Sequence, residues 1–413
     1  NDVLQDEFGK SLGSKNVHIL DPFTGTGTFI TRLMQSGIIS KKDLAYKYKD
    51  EIHANEIVLL AYYIAAINIE SVYQDIARES QYQPFNGMVL TDTFQLFEQD
   101  HDMIADILPE NSNRRTAQKE KDLTVIIANP PYSVGQRSAN DNASNIPYPN
   151  LDSLIERTYA AKSKTSLHKA LYDNYIRSFR WACDRIGDEG VIGFVTNASW
   201  INKNSMDGFR ECLEEEFSKI YVFHLRGDAR TSGELRQKEK GNVFGGGSRQ
   251  PIAITILVKN EEDTDKGKIY FYDIGDYLDR KQKLSIIQDL KSIKGIEAEN
   301  KFQHIEPDEN NDWINQGEKI FKEFLALRGD SVSLFNKSGP GVCTNRDAWT
   351  YNSSKKKLEK NIRTLIKNYN EALDKLVSPA VAFKIPISQI KWTVNLKKDF
   401  EESKKLNIKE GKI

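Results

Sequence analysis

Short apolar runs alternate with amphipathic stretches along the first 260 or so residues. "NVHIL" at 16–20, "DEIHANEI" with Glu56 near its end, "NGMVL", "LTVIIA", "GVIGFV", "KIYVFHL" and "IAITILVK" are brief and rich in Val and Ile. Runs of that length between turn residues predict strands. "ITRLMQSGII", "VLLAYYIAAINIESVYQDIA", "LYDNYIRSFRWACDRIG" and "MDGFRECLEEEF" repeat apolar positions every three to four residues, which predicts helices. Strands alternating with helices imply an α/β sheet covered on both faces. The last two strands have no predicted helix between them, so antiparallel pairing is expected there. Residues 95–122 and 134–170 are polar and read as long connections. The second follows the fourth strand directly, and connections of that length tend to be functional. Beyond about residue 285 the pattern changes to lysine-rich helical stretches. Two domains are therefore expected, 1–285 and a mainly helical 286–413.

Bulk properties narrow the class. The chain has 413 residues, 39% of them hydrophobic and 28% charged, as in ordinary globular proteins. No run approaches the roughly 20 apolar residues that span a bilayer, so no membrane partner is expected. Cys183, Cys212 and Cys343 are far apart and odd in number, which suits free thiols in a reducing, cytoplasmic setting. The histidines show no metal-ligand spacing, so no metal site is expected. A start at Asn1 rather than Met suggests a piece of something longer. Net charge is −1, yet residues 341–413 hold 16 Lys+Arg against 8 Asp+Glu. That end could contact a polyanion, or be a solvated lysine-rich surface.

The candidate chemistry lies where strands stop. "DPFTGTGTF" follows the first strand, and Gly25 and Gly27 would let backbone amides approach a ligand at a helix N-terminus. Ile30 stands where the dinucleotide fingerprint has its third glycine, and no Gly-Lys-Ser/Thr follows. This disfavours both a Rossmann dehydrogenase and a P-loop. Asp21 would repel a pyrophosphate but suit a cationic amino group. Glu56 ends the second strand and could accept from ribose hydroxyls, at 29 positions beyond Gly27 rather than the usual 20 or so. Asp92 ends the third strand and could accept from an exocyclic amine, with Phe94 or Ile57 packing on a purine. Singly, each acid could equally be a helix cap. Together, at the ligand edge of an open sheet, they describe a pocket for a nucleoside with a cationic tail and no phosphate.

"NPPY" ends the fourth strand. Asn129 Oδ1 and the Pro130 carbonyl are two acceptors for the hydrogens of a conjugated amine, and Pro130 and Pro131 stiffen the turn. Tyr132 offers a flat face for a stacked base. A strand-capping proline turn is the alternative.

"DPFTGTGTF", "NEI", "TDTF" and "NPPY", in that order, resemble the S-adenosylmethionine-dependent amino-methyltransferases of DNA, in the gamma arrangement of N6-adenine enzymes. The resemblance covers about residues 16–260. It implies a Rossmann-like sheet of seven strands, mostly parallel with the last antiparallel. It implies S-adenosylmethionine held by Asp21, Pro22, Phe23, Thr24, Gly25, Gly27, Phe29, Glu56, Ile57, Asp92, Thr93, Phe94 and Asn129. Asn129, Pro130, Pro131 and Tyr132 would hold the target base. Phe244, in "GNVFGGGSRQP", would be a second aromatic for that base, or a hairpin anchor. "LYDNYIRSFRWACDRIGDEGVIGFVTNASWI" and "GVCTNRDAWTYN" are similar to the methyltransferase part of single-chain, type ISP restriction-modification enzymes. That similarity implies duplex DNA as partner, helicase and nuclease domains on the same longer polypeptide, and a bacterial cytoplasm. Residues 286–413 would begin the target-recognition region. Two other readings stay open: a methyltransferase acting on RNA, cytosine N4 or protein glutamine, and a non-catalytic DNA-binding or coupling module.

Overall fold

A computed structural model describes residues 1–78, 81–98, 108–132, 147–165, 168–245, 248–317 and 346–382, with 320, 323–325, 327 and 332–335. Two compact units result, Asn1–Glu318 and Lys319–Ile413. The first unit holds one nine-stranded sheet: β1 (His18–Asp21), β2 (Ile52–Glu56), β3 (Met88–Leu90), β4 (Leu123–Ala128), β5 (Glu189–Asn197), β6 (Lys219–Arg226), β7 (Ile252–Asn260), β8 (Lys268–Asp273) and β9 (Gln303–Ile305). Their spatial order is β3-β2-β1-β4-β5-β7-β6-β8-β9.

The first seven strands take the expected arrangement. β3, β2, β1, β4 and β5 are parallel, and β7 inserts antiparallel between β5 and β6. The sheet then runs two strands further than the seven expected, through β8 parallel to β6 and β9 antiparallel to β8. This extension carries the first unit past the expected division at 285, which falls inside the helix Arg280–Leu290. A short helix, Gly233–Glu239, intervenes between β6 and β7, although they pair antiparallel as expected.

Both sheet faces are covered, because strand residues alternate sides. Leu20, Ile126, Ile192, Ile220 and Leu257 join one apolar cluster. Their immediate neighbours Ile19, Val125, Val191, Tyr221 and Val258 join the other. Helices Thr28–Gln35 and Leu59–Ala77 pack on the second of these clusters, and Asn174–Arg185 and Asp207–Glu216 on the first.

Two segments expected as loops contain helices. Pro109–Lys119 has a polar sequence with no apolar stripe to betray it. Its Asn111 side chain instead donates to the Leu90 carbonyl (3.0 Å) and accepts from the Leu90 amide (2.8 Å), closing the edge of β3. Pro149–Ile155 begins where Glu98 accepts from the amides of Asn150 and Leu151, a carboxylate on helix donors that otherwise lack partners. Cys183 and Cys212 are free and buried, and Cys343 lies outside the described residues. Among the described residues no helix is long and apolar enough to cross a membrane. The second unit contains the long helix Lys355–Ala382, in which Tyr369 and Leu373 are buried.

Candidate functional site

The strand order brings β1 and β4 side by side, with Leu20 opposite Ile126. Chain connections diverge on either side of this pair, to β2 and β3 in one direction and to β5 in the other. Such a switch point is where open α/β sheets leave a crevice beyond their carboxyl ends. Asp21 closes β1 and Asn129 follows β4, so residues remote in sequence flank one crevice.

Three turns are tied together there. The Thr24 amide donates to the Asn55 carbonyl (3.0 Å), and the Gly25 amide to Glu56 Oε2 (2.8 Å). Thr93 Oγ1 donates to the Pro22 carbonyl (2.6 Å), while Asn55 Nδ2 reaches Thr93 Oγ1 at 3.4 Å. Phe23 and Phe94 bring their rings to 5.3 Å. The turns after β1, β2 and β3 thus form one connected rim containing Asp21, Pro22, Phe23, Thr24, Gly25, Glu56, Asp92, Thr93 and Phe94. Phe29 lies in the first turn of Thr28–Gln35, and Ile57 is exposed just past Glu56.

The two glycines of the turn have different tasks. Gly25, at φ +58°, has open space where a Cβ would stand. Gly27, at φ +87°, faces Ile69 Cγ1 at 3.2 Å and Ala65 Cα at 3.4 Å. Its missing side chain lets the helix Leu59–Ala77 pack close, so this glycine is also needed by the scaffold.

The carboxylates are prepared unequally. Asp21 is fully buried; its Oδ1 accepts from the Phe23 amide (3.2 Å), and its Oδ2 has no hydrogen-bond partner. Burial pushes its carboxyl up to about 7, against the Phe23 bond and with help from nearby Glu56. A buried acceptor without a donor is costly, and a cation would satisfy it. Glu56 accepts from the amides of Gly25 and Val58. Asp92 Oδ1 accepts from the Phe94 amide (3.0 Å) and Oδ2 from the Tyr148 hydroxyl (2.9 Å). Burial raises the Asp92 carboxyl, and those two bonds oppose the shift. An ammonium, ribose hydroxyls and an exocyclic amine suit these acids respectively. The acceptor set therefore fits a nucleoside that carries a cationic amino-acid tail.

Across the crevice, Asn129 and Pro131 are exposed and Pro130 is buried. Tyr132 is half-buried, edge-on to Tyr175 at 6.2 Å. Its hydroxyl lies 2.7 Å from Asn129 Oδ1 and 3.1 Å from the Val195 carbonyl, both acceptors for its single proton. Burial raises the phenol, so it stays a donor. The acceptor expected to meet the target amine is thus already oriented, with a lone pair left over.

Phe244 is 45% exposed on the loop between Gly233–Glu239 and β7. Asn242 Oδ1 accepts from its amide (2.9 Å), and Arg280 Nε donates to the Val243 carbonyl (2.9 Å). Buried Lys283, lowered to about 8 by desolvation, holds the carbonyls of Glu239 and Gly241. Val243 belongs to the small cluster against which Tyr132 packs, which brings this loop to the same edge.

The sequence reading missed Asn55 and Tyr148. Asn55 could have been noticed as an amide inside an otherwise buried strand. Tyr148 sits in "PYP", an aromatic between prolines like the one in "NPPY".

Residues 38–229 match the Eco57I restriction-modification methylase family, and residues 333–413 the Type ISP C-terminal specificity domain. No curated protein sequence matches. Among solved structures, a nuclease-deletion mutant of the Type ISP enzyme LlaGI with a DNA substrate mimic is 49% identical over 91% of this chain, with a TM-score of 0.83. The ATP-dependent Type ISP enzyme LlaBIII bound to DNA is 43% identical over 97%, also at 0.83. A DrdV–DNA complex is 36% identical over 96%, at 0.81. The chain covers 31%, 27% and 39% of those three chains respectively. By sequence and by fold, the chain belongs to the Type ISP restriction-modification family, of which it spans the methylase and specificity segment.

Proposed function

We propose that this chain transfers a methyl group from S-adenosylmethionine to the N6 amine of an adenine extruded from duplex DNA, as the modification part of a restriction-modification enzyme. The observation that carries the reading is the buried, unpartnered Asp21 Oδ2 at the end of β1, at the same carboxyl edge of the sheet as the "NPPY" turn that follows neighbouring β4. Three relatives that are 36–49% identical are solved in complex with DNA or a DNA substrate mimic, which supports duplex DNA here. The specificity-domain match at 333–413 supports target recognition by the second unit.

In this reading Asp21 holds the methionine ammonium, Glu56 the ribose and Asp92 the adenine amine of the cofactor. S-adenosylmethionine supplies an electrophilic methyl on a cationic sulfur. Asn129 Oδ1 and the Pro130 carbonyl each accept one hydrogen of the target amine. This draws electron density onto nitrogen and aims its lone pair. Pro130 has no N–H to compete for these acceptors, and its fixed φ keeps the turn from relaxing. Tyr132 holds Asn129 in orientation until the amine arrives. With the cofactor bound, an N–C bond would form as its S–C bond broke and the proton would leave to solvent afterwards, so positioning by these residues rather than a strong base would supply the rate. Phe244 offers a stacking face, worth about 1–3 kcal/mol for an unstacked base.

The test is methyl transfer from labelled S-adenosylmethionine to duplex DNA, followed by nucleoside analysis. Label in N6-methyladenine is expected, and Asn129→Ala should lower the rate at least about a hundred-fold while leaving the melting temperature unchanged. Label in N4-methylcytosine would overturn the base assignment. An unaffected Asn129→Ala rate would overturn the mechanism.

A further inference from the structure

We propose that Tyr148 is a positioning residue for cofactor recognition: it locks the Asp92 carboxylate in the one orientation that distinguishes adenine from a purine lacking the 6-amine. This rests on the cofactor reading above and names a residue which that reading does not require.

A carboxylate held by one hydrogen bond can still rotate about its last torsion. Asp92 is held on both oxygens, by the Phe94 amide at 3.0 Å and the Tyr148 hydroxyl at 2.9 Å, with a further backbone bond from Gln95. Bonds on both oxygens fix the carboxylate plane, and of its roughly four acceptor positions one is left for a further donor. Tyr148 is itself immobilised. It is 6% exposed, Phe94 meets its ring edge-on at 5.0 Å, and the Arg177 guanidinium lies 5.4 Å from the ring centre. Arg177 is in turn bound by both Asp152 oxygens, at 2.7 and 2.9 Å, and by Asn174 Oδ1 at 3.0 Å. The chain of contacts therefore ends on a rigid ion pair rather than in solvent.

The hydroxyl has a second consequence. Burial raises the Asp92 carboxyl, and a carboxyl that took up a proton would present a donor toward an amine. Tyr148 donates to the ionised form and so keeps an acceptor there. The phenol is pushed above its ordinary value by burial and by Asp92 itself, so it remains the donor of the pair. Hypoxanthine, with an oxygen at position 6, would meet this fixed acceptor as a repulsion.

The experiment compares the 413-residue chain with Tyr148→Phe, which keeps the ring and its packing. Binding of S-adenosylmethionine and of its hypoxanthine analogue is measured calorimetrically, with melting curves as control. The expected result is roughly ten-fold weaker S-adenosylmethionine binding in the variant. Hypoxanthine binding should be equal or stronger, so that discrimination between the two bases shrinks. Equal loss for both nucleosides would mean that the hydroxyl supports the pocket without reading the 6-amine, and no loss would mean that Tyr148 only packs; either overturns the inference while leaving the cofactor reading intact. A wild-type chain that binds neither nucleoside overturns the cofactor reading, and the inference with it.

Discussion

The turns after β1 and β3 each bring an aspartate to the same rim, and the two are prepared in opposite ways. Asp21 is fully buried with one oxygen left bare. Asp92 has a donor on each oxygen. The bare site stores the cost of an unsolvated charge until a cation arrives, whereas the furnished site costs little and defines a direction. A pocket for a ligand with one charged and one neutral amine needs both kinds. Charge is matched by leaving a charge unmatched, and a neutral donor is matched by geometry.

The largest expected effect is at Asp21. Its folded carboxyl titrates at about 7 against an ordinary value of 3.8. For an acid whose folded value is raised, the folded state holds the proton longer than the unfolded state. Stability should therefore fall as pH rises from about 4 to about 7 and stay low above it. At about 1.4 kcal/mol per pKa unit the loss is on the order of 4 kcal/mol. Asp21→Asn should flatten that slope and raise stability at pH 8, as read from denaturant unfolding. The same change should weaken S-adenosylmethionine binding about a hundred-fold, since a buried cation would lose its counter-charge. In the wild type, affinity should climb roughly ten-fold per unit of pH below 7 and level off above, because binding must first expel the Asp21 proton. A pH-independent affinity would break the comparison.

A smaller effect is expected at Asp92. Asp92→Asn keeps an oxygen for the Phe94 amide, and the Tyr148 hydroxyl can turn to accept from the new amide. A loss of about ten-fold or less in cofactor affinity is expected, with little change in stability at any pH. If Asp92→Asn cost as much as Asp21→Asn, the two sites would not differ in kind. Smallest of all is Thr93→Val, which cuts the 2.6 Å bond to the Pro22 carbonyl that ties the third turn to the first. About 1 kcal/mol of stability should be lost, with a few-fold rise in the cofactor dissociation constant. A larger effect on binding than on stability would show that the rim is held together for the ligand's sake.

Much of this was legible in the residues. "DPFTGTGTF", "NEI", "TDTF" and "NPPY" stand at strand ends because an apolar run followed by Pro, Gly or an acid can scarcely do anything else. The strands are short and continuous, and both faces are buried as that pattern predicts. Less legible was Pro109–Lys119, whose role is to close the edge of β3 through Asn111, with no apolar stripe involved. β9 was missed because nothing local distinguishes a three-residue polar edge strand such as "QHI" from a loop; β8, "KIYFYD", lies inside the sheet and was missed despite its aromatic and β-branched residues. The scaffold role of Gly27 was not legible, since a missing side chain does not say which neighbours need the space.

By itself the sequence determined which residues end strands, which chemistry they carry and which family they resemble. Those depend on neighbours a few positions away. Only the tertiary structure decided that β1 lies against β4 and so sets Asp21 beside Asn129. It alone decided that Asp21 keeps a bare oxygen while Asp92 does not, and that Tyr148 is the reason. Desolvation and hydrogen-bond supply depend on everything that surrounds an atom in space, and no local pattern along a chain records that.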